Sequence, residues 1–479
     1  MKKARLLYPL VVIAIVLLAG VIVGSWALAT RPTSHSLIPT PGTAGLSVQD
    51  NLYFGSSQIV YKLNGRDGSV LWKQSLTRSI PLDRRAASHF GIHVQEDVVY
   101  AFMDHDFFAF NANSGKEIWH QHIVPVGSLT TEDLRIYDEI LDNGVIYLKH
   151  AHGTISARRA STGAELWHNY TIQGNFYLSH DGIYAKGYSQ ADGANALYAF
   201  DAATGRERWH FTEKAGEGSI SAAPIIAADG VVYDAESCLY ALNEQTGQLL
   251  WTHTLPHANQ FFVSPQVQSG VLYVSTGGMF PLAARVFQSD TSDYFHLYAF
   301  NARTGSQLWV SPAGYTRVEW MPLGEQALIA SRQKDRTATR TLSGIDPLSG
   351  KTLWTLSFPD ICDAEGCYGP WADMVNHLLY VIGGGSHQLV EAFDVRTGKK
   401  LSEHALRFTL AAYNRGGVSN GTAYVLEGPS GSNRSMEALG KVQRTVEAFS
   451  LNNGTSLWQF KPSMLKGYQD AISSLVLAP

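Results

Sequence analysis

Apolar and polar residues alternate through most of this chain, in short runs separated by turn-forming residues. In Leu197–Trp209 (LYAFDAATGRERW), the run Leu-Tyr-Ala-Phe is followed by Asp-Ala-Ala-Thr-Gly and by a second short run that ends at Trp. Alternation with a period of two indicates a strand with one buried face. Two such runs around a short Gly-containing loop predict a β-hairpin.

This hairpin motif occurs nine times, and successive copies end 42 to 58 residues apart. A period of this size in a β-rich chain is typical of propeller blades. One copy, Val390–Ser402, ends in Ser, and the other eight end in Trp. We expect these eight rings to be structural, each buried against a neighbouring blade. They are Trp72, Trp119, Trp167, Trp209, Trp251, Trp309, Trp354 and Trp458.

The loop of the motif has its own chemistry. Most copies begin it with Asp or Asn, whose side chain accepts hydrogen bonds from backbone N–H groups of the same turn. Every copy ends it with Gly, which adopts a positive φ without steric cost. The loop residues are therefore predicted to be structural.

Each hairpin follows a second pair of apolar runs, such as Ile220–Ala227 and Gly230–Asp234, so a repeat contains four strands. The first repeat starts late, near Leu52, whereas the final segment Ala471–Ala478 resembles the first strand of a blade. We expect this C-terminal strand to complete the first blade, because closure removes free sheet edges. The predicted fold class is an all-β, closed β-propeller of four-stranded blades over residues 47–479.

The sequence of the N-terminal region predicts where the protein is located in the cell. Basic residues precede an apolar run of 24 residues, Leu6–Ala29, and about 20 suffice to cross a bilayer. Residues 1–30 are therefore predicted to be one transmembrane helix that anchors the protein, with the C-terminal domain outside the cytoplasm. The alternative is a cleaved signal peptide and a secreted protein, because Ala27-Leu28-Ala29 resembles a cleavage site. Residues 31–46, rich in Pro, Thr and Ser, are predicted to be an extended linker.

Composition limits the partners. The chain is 16% charged with a formal net charge of −4, which argues against nucleic-acid binding because such proteins carry a basic surface. We expect a monomeric domain outside the membrane.

The pattern Leu-Tyr-Ala-x-Asp/Asn-x-x-Thr-Gly-x-x-Leu-Trp resembles the PQQ-type propeller repeat. Proteins with this repeat include quinoprotein alcohol dehydrogenases, the propeller subunit of the outer-membrane β-barrel assembly machine and sensor domains of bacterial kinases. The resemblance implies eight blades, although nine motifs are present. We expect eight, with the copy ending at Ser402 irregular; the alternative is nine.

For the quinoprotein enzymes, the resemblance implies two adjacent cysteines in a disulfide, Glu and Asn ligands for calcium, and an Asp base. No two of the three cysteines here are adjacent. We therefore predict no catalytic residue, no metal site and no cofactor, PQQ included. Cys362 and Cys367 are a candidate disulfide, with two unpaired thiols as the alternative. Cys238 is expected to be buried.

Four other groups of residues carry weaker signals. His120 and His122, like His150 and His152, lie two apart and share one side of a strand, so each pair could bind a metal or simply face solvent. Asp104–Asp106 could bind a cation, but such residues are common in turns. Gly383–His387 lacks the Lys-Ser/Thr of a phosphate loop and is expected to connect two strands.

Three insertions are the candidate binding regions, because loops on a rigid scaffold often carry function. They are Gly277–Phe295, Gly428–Thr445 and the basic segment Arg332–Arg340. The predicted function is a non-enzymatic, membrane-anchored propeller that binds a protein or peptide partner or senses a ligand. The alternative is a quinoprotein-like oxidoreductase that uses the central channel.

Overall fold

A computed structural model describes most of the repeat region. The chain divides into two units, Met1–Ser47 and Val48–Pro479, and all described residues lie in the second. The predicted membrane helix and linker lie outside them. Within the described ranges, no helix has the length and apolarity needed to cross a membrane. The described residues are 51–56, 58–76, 90–103, 106–122, 136–150, 154–169, 176–179, 182–189, 191–212, 225–235, 238–254, 262–276, 296–311, 321–323, 327–333, 339–359, 361–363, 366–368, 371–375, 378–382, 389–405, 417–427, 445–462 and 476–478.

These residues form nine four-stranded antiparallel sheets, which we number 1 to 9 along the chain. Sheet 1 contains β1 (Asn51–Ser56), β2 (Ile59–Asn64), β3 (Val70–Ser75) and β38 (Val476–Ala478). Sheet 2 contains β4 (Phe90–Gln95), β5 (Val98–Met103), β6 (Asp106–Asn111) and β7 (Glu117–His122). Sheet 3 contains β8 (Ile136–Asp142), β9 (Val145–His150), β10 (Ile155–Arg159) and β11 (Glu165–Asn169). Sheet 4 contains β12 (Phe176–Ser179), β13 (Gly182–Ser189), β14 (Ala194–Asp201) and β15 (Glu207–Thr212). Sheet 5 contains β16 (Ile225–Ala228), β17 (Val231–Ala235), β18 (Cys238–Asn243) and β19 (Leu249–Thr254).

The remaining sheets follow the same plan. Sheet 6 contains β20 (Phe262–Gln268), β21 (Val271–Thr276), β22 (Leu297–Asn301) and β23 (Gln307–Val310). Sheet 7 contains β24 (Met321–Leu323), β25 (Ala327–Gln333), β26 (Thr339–Ile345) and β27 (Thr352–Pro359). Sheet 8 contains β30 (Trp371–Val375), β31 (Leu378–Ile382), β32 (Leu389–Asp394) and β33 (Lys400–Ala405). Sheet 9 contains β34 (Gly417–Ser419), β35 (Thr422–Glu427), β36 (Thr445–Ser450) and β37 (Ser456–Phe460). Between sheets 7 and 8, β28 (Ile361–Asp363) pairs with β29 (Gly366–Tyr368).

The strands of a sheet differ in burial. The second and third strands are buried on both faces; all residues of β5 except Val98, and all of β6 except Asn111, are buried. The fourth strand is largely exposed, and in β3 only Trp72 is buried. Burial on both faces places neighbouring sheets against the middle of each sheet, as in a propeller. The predicted all-β fold of four-stranded units is therefore confirmed.

The third and fourth strands are joined by the repeat turn. In sheet 4, the Asp201 carboxylate accepts hydrogen bonds from the Thr204 N–H at 2.9 Å and from the Thr204 hydroxyl at 2.7 Å. Gly205 has a φ of +67°, a conformation that strains any residue with a Cβ. The turn therefore forms from its local sequence.

The strand β38 completes sheet 1. It pairs with β1 through Asn51–Ala478, Leu52–Leu477 and Tyr53–Val476, so it occupies the first position of that sheet.

The repeat that ends at Ser402 also forms a regular four-stranded sheet, β30–β33. In the part of the chain that the structure describes, every repeat motif therefore belongs to its own sheet.

Candidate functional site

The Trp that ends each repeat joins its sheet to the next one. The Trp209 indole N–H donates to the backbone carbonyl of Glu244 at 3.0 Å, in the repeat turn of sheet 5. A Cβ on Gly247 of that turn would lie 2.6 Å from the Trp209 ring. Glycine is therefore required here both for the positive φ of the turn and for the close packing of the Trp ring. All eight Trp residues donate in this way, at 2.8–3.2 Å, to the carbonyls of Ala112, Ala160, Ala202, Glu244, Ala302, Pro347, Val395 and Gly65.

A Tyr on the second strand of most sheets accompanies the Trp, and our sequence analysis did not identify it. The Tyr233 hydroxyl donates to the Ala302 carbonyl at 2.9 Å, and the Trp251 N–H donates to the same oxygen at 3.2 Å. One carbonyl thus accepts two hydrogen bonds from the neighbouring sheet. The recurrence was visible in the sequence, at Tyr53, Tyr100, Tyr147, Tyr184, Tyr233, Tyr273, Tyr380 and Tyr424.

Burial of these tyrosines predicts a loss of stability in alkali. Burial raises the pKa of Tyr53, Tyr147, Tyr233 and Tyr273 from 10.0 to about 12. Because the pKa is higher in the folded chain than in the unfolded chain, this stabilisation is complete below pH 10 and is lost as pH rises through about 12. We expect the free energy of unfolding, measured in urea at a series of pH values, to fall across this window.

A Tyr233→Phe variant is the control, because it removes one titrating group and should lose less stability across the same window. Near neutral pH it should be less stable than the parent by about 0.5–1.5 kcal/mol, the contribution of one hydrogen bond. A free energy of unfolding that stays constant from pH 9 to 12 would contradict the prediction.

Sheet 9 contacts sheet 1 in the same manner. The Trp458 N–H donates to the Gly65 carbonyl at 2.9 Å, and the Tyr424 hydroxyl approaches the same oxygen at 3.3 Å. A Cβ on Gly68 would lie 2.5 Å from the Trp458 ring. The last repeat therefore uses on the first repeat the contacts that successive repeats use on each other.

The junction between sheets 8 and 9 differs. Ser402 pairs with Ala392 in the register at which Trp209 pairs with Ala199. A cavity of about 230 Å³ lies at this junction. Its lining is Leu378, Tyr380, Val418, Ser419, Asn420, Gly421 and Leu451.

The structure brings together His120, His122 and Asp106. The Asp106 carboxylate, which is buried, lies 3.3 Å from His120 Nε2 and 2.9 Å from His122 Nδ1 through the same oxygen. The Phe108 ring stacks on His120 at 4.2 Å. Both imidazoles are thus engaged within sheet 2. Asp104 and His105 lie outside the described residues.

The other histidine pair is only half described. His150 is buried, with its Nε2 2.8 Å from the Ser156 hydroxyl, and His152 lies outside the described residues, as does Gly383–His387. Among the residues that the structure describes, no group of three His, Cys, Asp or Glu side chains could hold a metal ion.

Two polar contacts between side chains, of which the second is an ion pair, join first or second strands of neighbouring sheets. His93 Nε2 in β4 lies 3.3 Å from the buried Glu139 carboxylate in β8. The Lys186 ammonium in β13 pairs with the Asp234 carboxylate in β17, and both side chains are 2% exposed or less. The second pair is fully removed from water, which makes it costly to break.

The cysteines lie in two places. Cys362 and Cys367 lie opposite each other in the register of β28 and β29, and their disulfide stays a prediction. Cys238 is buried, as expected, with its thiol sulfur 3.6 Å from the Thr254 hydroxyl.

The three candidate binding segments interrupt equivalent positions, although most of their residues lie outside the described ranges. Gly277–Phe295 falls between β21 and β22, Gly428–Thr445 between β35 and β36, and Arg332–Arg340 around the connection from β25 to β26. Each connects the second strand of a sheet to the third.

The family model described as outer membrane protein assembly factor BamB matches residues 26–181 and 192–366. No curated protein matches this chain. Among solved structures, BamB from Moraxella catarrhalis is 18% identical, with 73% of this chain and 94% of that chain covered and a TM-score of 0.43.

Two quinohemoprotein alcohol dehydrogenases are also similar. The enzyme from Comamonas testosteroni is 13% identical, with 71% of this chain and 70% of that chain covered and a TM-score of 0.44. ADHIIG from Pseudomonas putida is 15% identical, with 88% of this chain and 74% of that chain covered and a TM-score of 0.45. The resemblance to the PQQ-type repeat is confirmed. Because the family model matches more than half of its residues, this chain belongs to the family described as outer membrane protein assembly factor BamB.

Proposed function

We propose that this protein is a non-enzymatic scaffold outside the cytoplasm, anchored in the membrane by residues 1–30, that binds a protein partner through loops on one face. Its nine sheets form one closed propeller of nine blades, in place of the eight that the family resemblance implied. Support for closure comes from two contacts between the ends of the chain, the β1–β38 pairing and the Trp458–Gly65 hydrogen bond.

The observation that carries the proposal is the position of the insertions. Consecutive strands of an antiparallel sheet run in opposite directions, so all second-to-third connections leave their sheets at the same end. Two of these connections contain Gly277–Phe295 and Gly428–Thr445, of 19 and 18 residues. Loops of this length in compact domains are uncommon, and they are usually either functional or linker segments. We infer that they build one binding face.

The repeat residues support a scaffold in another way. Each of the eight Trp residues and five of the Tyr hydroxyl groups donate a hydrogen bond to the next sheet, and the Asp or Asn of the turn accepts hydrogen bonds within the turn. The recurring residues of the repeat therefore have structural roles, and the sheets differ from one another mainly in their insertions.

One observation from the sequence leads us to leave quinone chemistry out of the proposal. The adjacent cysteines that the quinoprotein enzymes imply have no counterpart, since Cys238 has no neighbouring cysteine in the sequence and Cys362 and Cys367 are five positions apart.

Site-specific photo-cross-linking in cells tests the proposal. A photoreactive residue at Phe280 or Phe287, within Gly277–Phe295, should cross-link the full chain to one partner protein. The matched control places the residue at Thr252, an exposed position of the fourth strand β19, where we expect at least tenfold less of the same product.

Equal cross-linking at Phe280 and Thr252, or no cross-linking at both Phe280 and Phe287, would overturn the proposal. Bound quinone or stoichiometric calcium in the purified protein would favour an oxidoreductase instead. Fractionation of the same cells tests the anchor, because a protein that is soluble after lysis and has lost residues 1–29 would be secreted.

A further inference from the structure

Among the residues that the structure describes, no Trp lies at the junction between sheets 8 and 9, whereas a Trp lies at each of the other eight junctions. Ser402 lies opposite Ala392, in the register of the Trp position. The neighbouring repeat turn keeps its form, because Gly454 has a φ of +66°. A Cβ on Gly454 would meet the Ala405 carbonyl oxygen, whereas at Gly305 it would meet the ring of Trp251.

The Trp251 junction shows what normally fills this space. The indole lies 6.0 Å from the Tyr233 ring of its own sheet and donates its N–H to the Ala302 carbonyl of the next sheet. The equivalent residues at the sheet 8–9 junction are Tyr380, which pairs with Ala392, and Leu451, the residue after the first position of the turn.

Both equivalents line the cavity of about 230 Å³. Among the described residues, no side-chain donor reaches the Leu451 carbonyl and the Tyr380 hydroxyl has no hydrogen-bond partner. Leu378 and Val418 supply apolar walls. Enclosed apolar cavities of about 150 Å³ bind benzene-sized rings; this cavity is larger, is open to solvent on one side, and has Ser419 and Asn420 in its lining.

We propose that this cavity is a binding site for an indole ring, whose N–H is accepted by the Leu451 carbonyl and whose face packs beside Tyr380. The ring would contact two of the groups that Trp contacts at the other junctions, the second-strand Tyr and the turn carbonyl, whereas the face of the turn glycine, Gly454, is covered here by Ala405. The site is independent of the proposed partner-binding loops. Asn420–Gly421 and the turn at Leu451 are first-to-second and third-to-fourth connections, which leave their sheets at the end opposite the insertions.

Calorimetric titration of the purified full chain with indole tests the site. We expect Ser402→Trp, which places a covalent indole at the junction, to weaken indole binding at least tenfold and to raise the melting temperature. Ser402→Ala is the matched control and should bind like the parent. We expect 1-methylindole, which lacks the donor, to bind about twofold to tenfold more weakly than indole, the effect of one hydrogen bond.

A second blocking variant, Val418→Phe, covers the case in which Ser402→Trp does not fold. Indole binding that survives in the folded blocking variants, or a 1-methylindole affinity equal to that of indole, would overturn the proposal. A Gly-Trp-Gly peptide then separates the sources of the ring. Tighter binding than indole indicates a Trp side chain of a partner protein, and weaker binding indicates a free small indole; both results support the site.

Discussion

Replacing Lys186 by methionine is expected to lower the free energy of unfolding by about 3–5 kcal/mol, because it leaves the buried Asp234 carboxylate without its counter-charge. Lys186 is 2% exposed and Asp234 is not exposed at all. The second Asp234 oxygen is also buried and has no hydrogen-bond partner among the described residues. Urea unfolding of the full chain measures the loss.

Two further variants make this test specific. In the double variant Lys186→Met with Asp234→Leu, both charges are gone, and stability should return close to that of the parent. Arg208→Met is the matched exposed control, because its pair with Asp201 is 25% and 30% exposed; it should cost about 0–1 kcal/mol. If Lys186→Met were no less stable than Arg208→Met, the buried ion pair would contribute no more to the free energy of unfolding than the exposed pair does.

Replacing Trp458 by alanine is expected to lower the free energy of unfolding by about 3–5 kcal/mol, the usual cost of truncating a buried Trp. The ring is 8% exposed, contacts Gly68 and donates to the Gly65 carbonyl. These contacts join the two ends of the repeat region, so their loss should also free β38 from β1. Urea unfolding and hydrogen exchange of residues 51–56 measure both effects.

Trp209→Ala is the matched control, because Trp209 has the same exposure and joins sheets 4 and 5 in the interior of the chain. In a closed propeller both variants should lose similar stability. If Trp458→Ala lost less than about 1 kcal/mol while Trp209→Ala lost the full amount, the ends of the chain would not be joined in solution.

Much of the fold could be predicted because its determinants are local. Alternation predicts the strands, and the Asp-x-x-Thr-Gly loop predicts the hairpin. The Val390–Ser402 copy separates two signals, since its turn is intact and its Trp is absent. The structure gives it a regular sheet, so the turn is sufficient to direct formation of the hairpin. Sheets 8 and 9 also pack together through Val390, Val425 and Phe449, so the Trp adds to the contact between sheets but is not required for it.

Contacts between sheets were harder to predict from the sequence. Lys186 and Asp234 are 48 residues apart, and each looks like an isolated polar residue in an apolar strand. His120 and His122 were correctly placed on one side of a strand, but Asp106 was not identified as their common partner. The Tyr that accompanies most of the Trp residues recurs visibly in the sequence, yet the acceptors of five of these hydroxyl groups belong to the next sheet.

The pairing of β1 with β38 determines when sheet 1 can be completed during folding. The two strands lie at opposite ends of the repeat region, and Trp458 is 393 residues from its acceptor, Gly65. At about 5–20 residues per second, translation separates their synthesis by roughly 20–85 s. Until β38 pairs with it, one edge of β1 is unpaired and available to strands of other chains. Sheet 1 is thus begun first and completed last, because β1 keeps this unpaired edge until β38 has been synthesised.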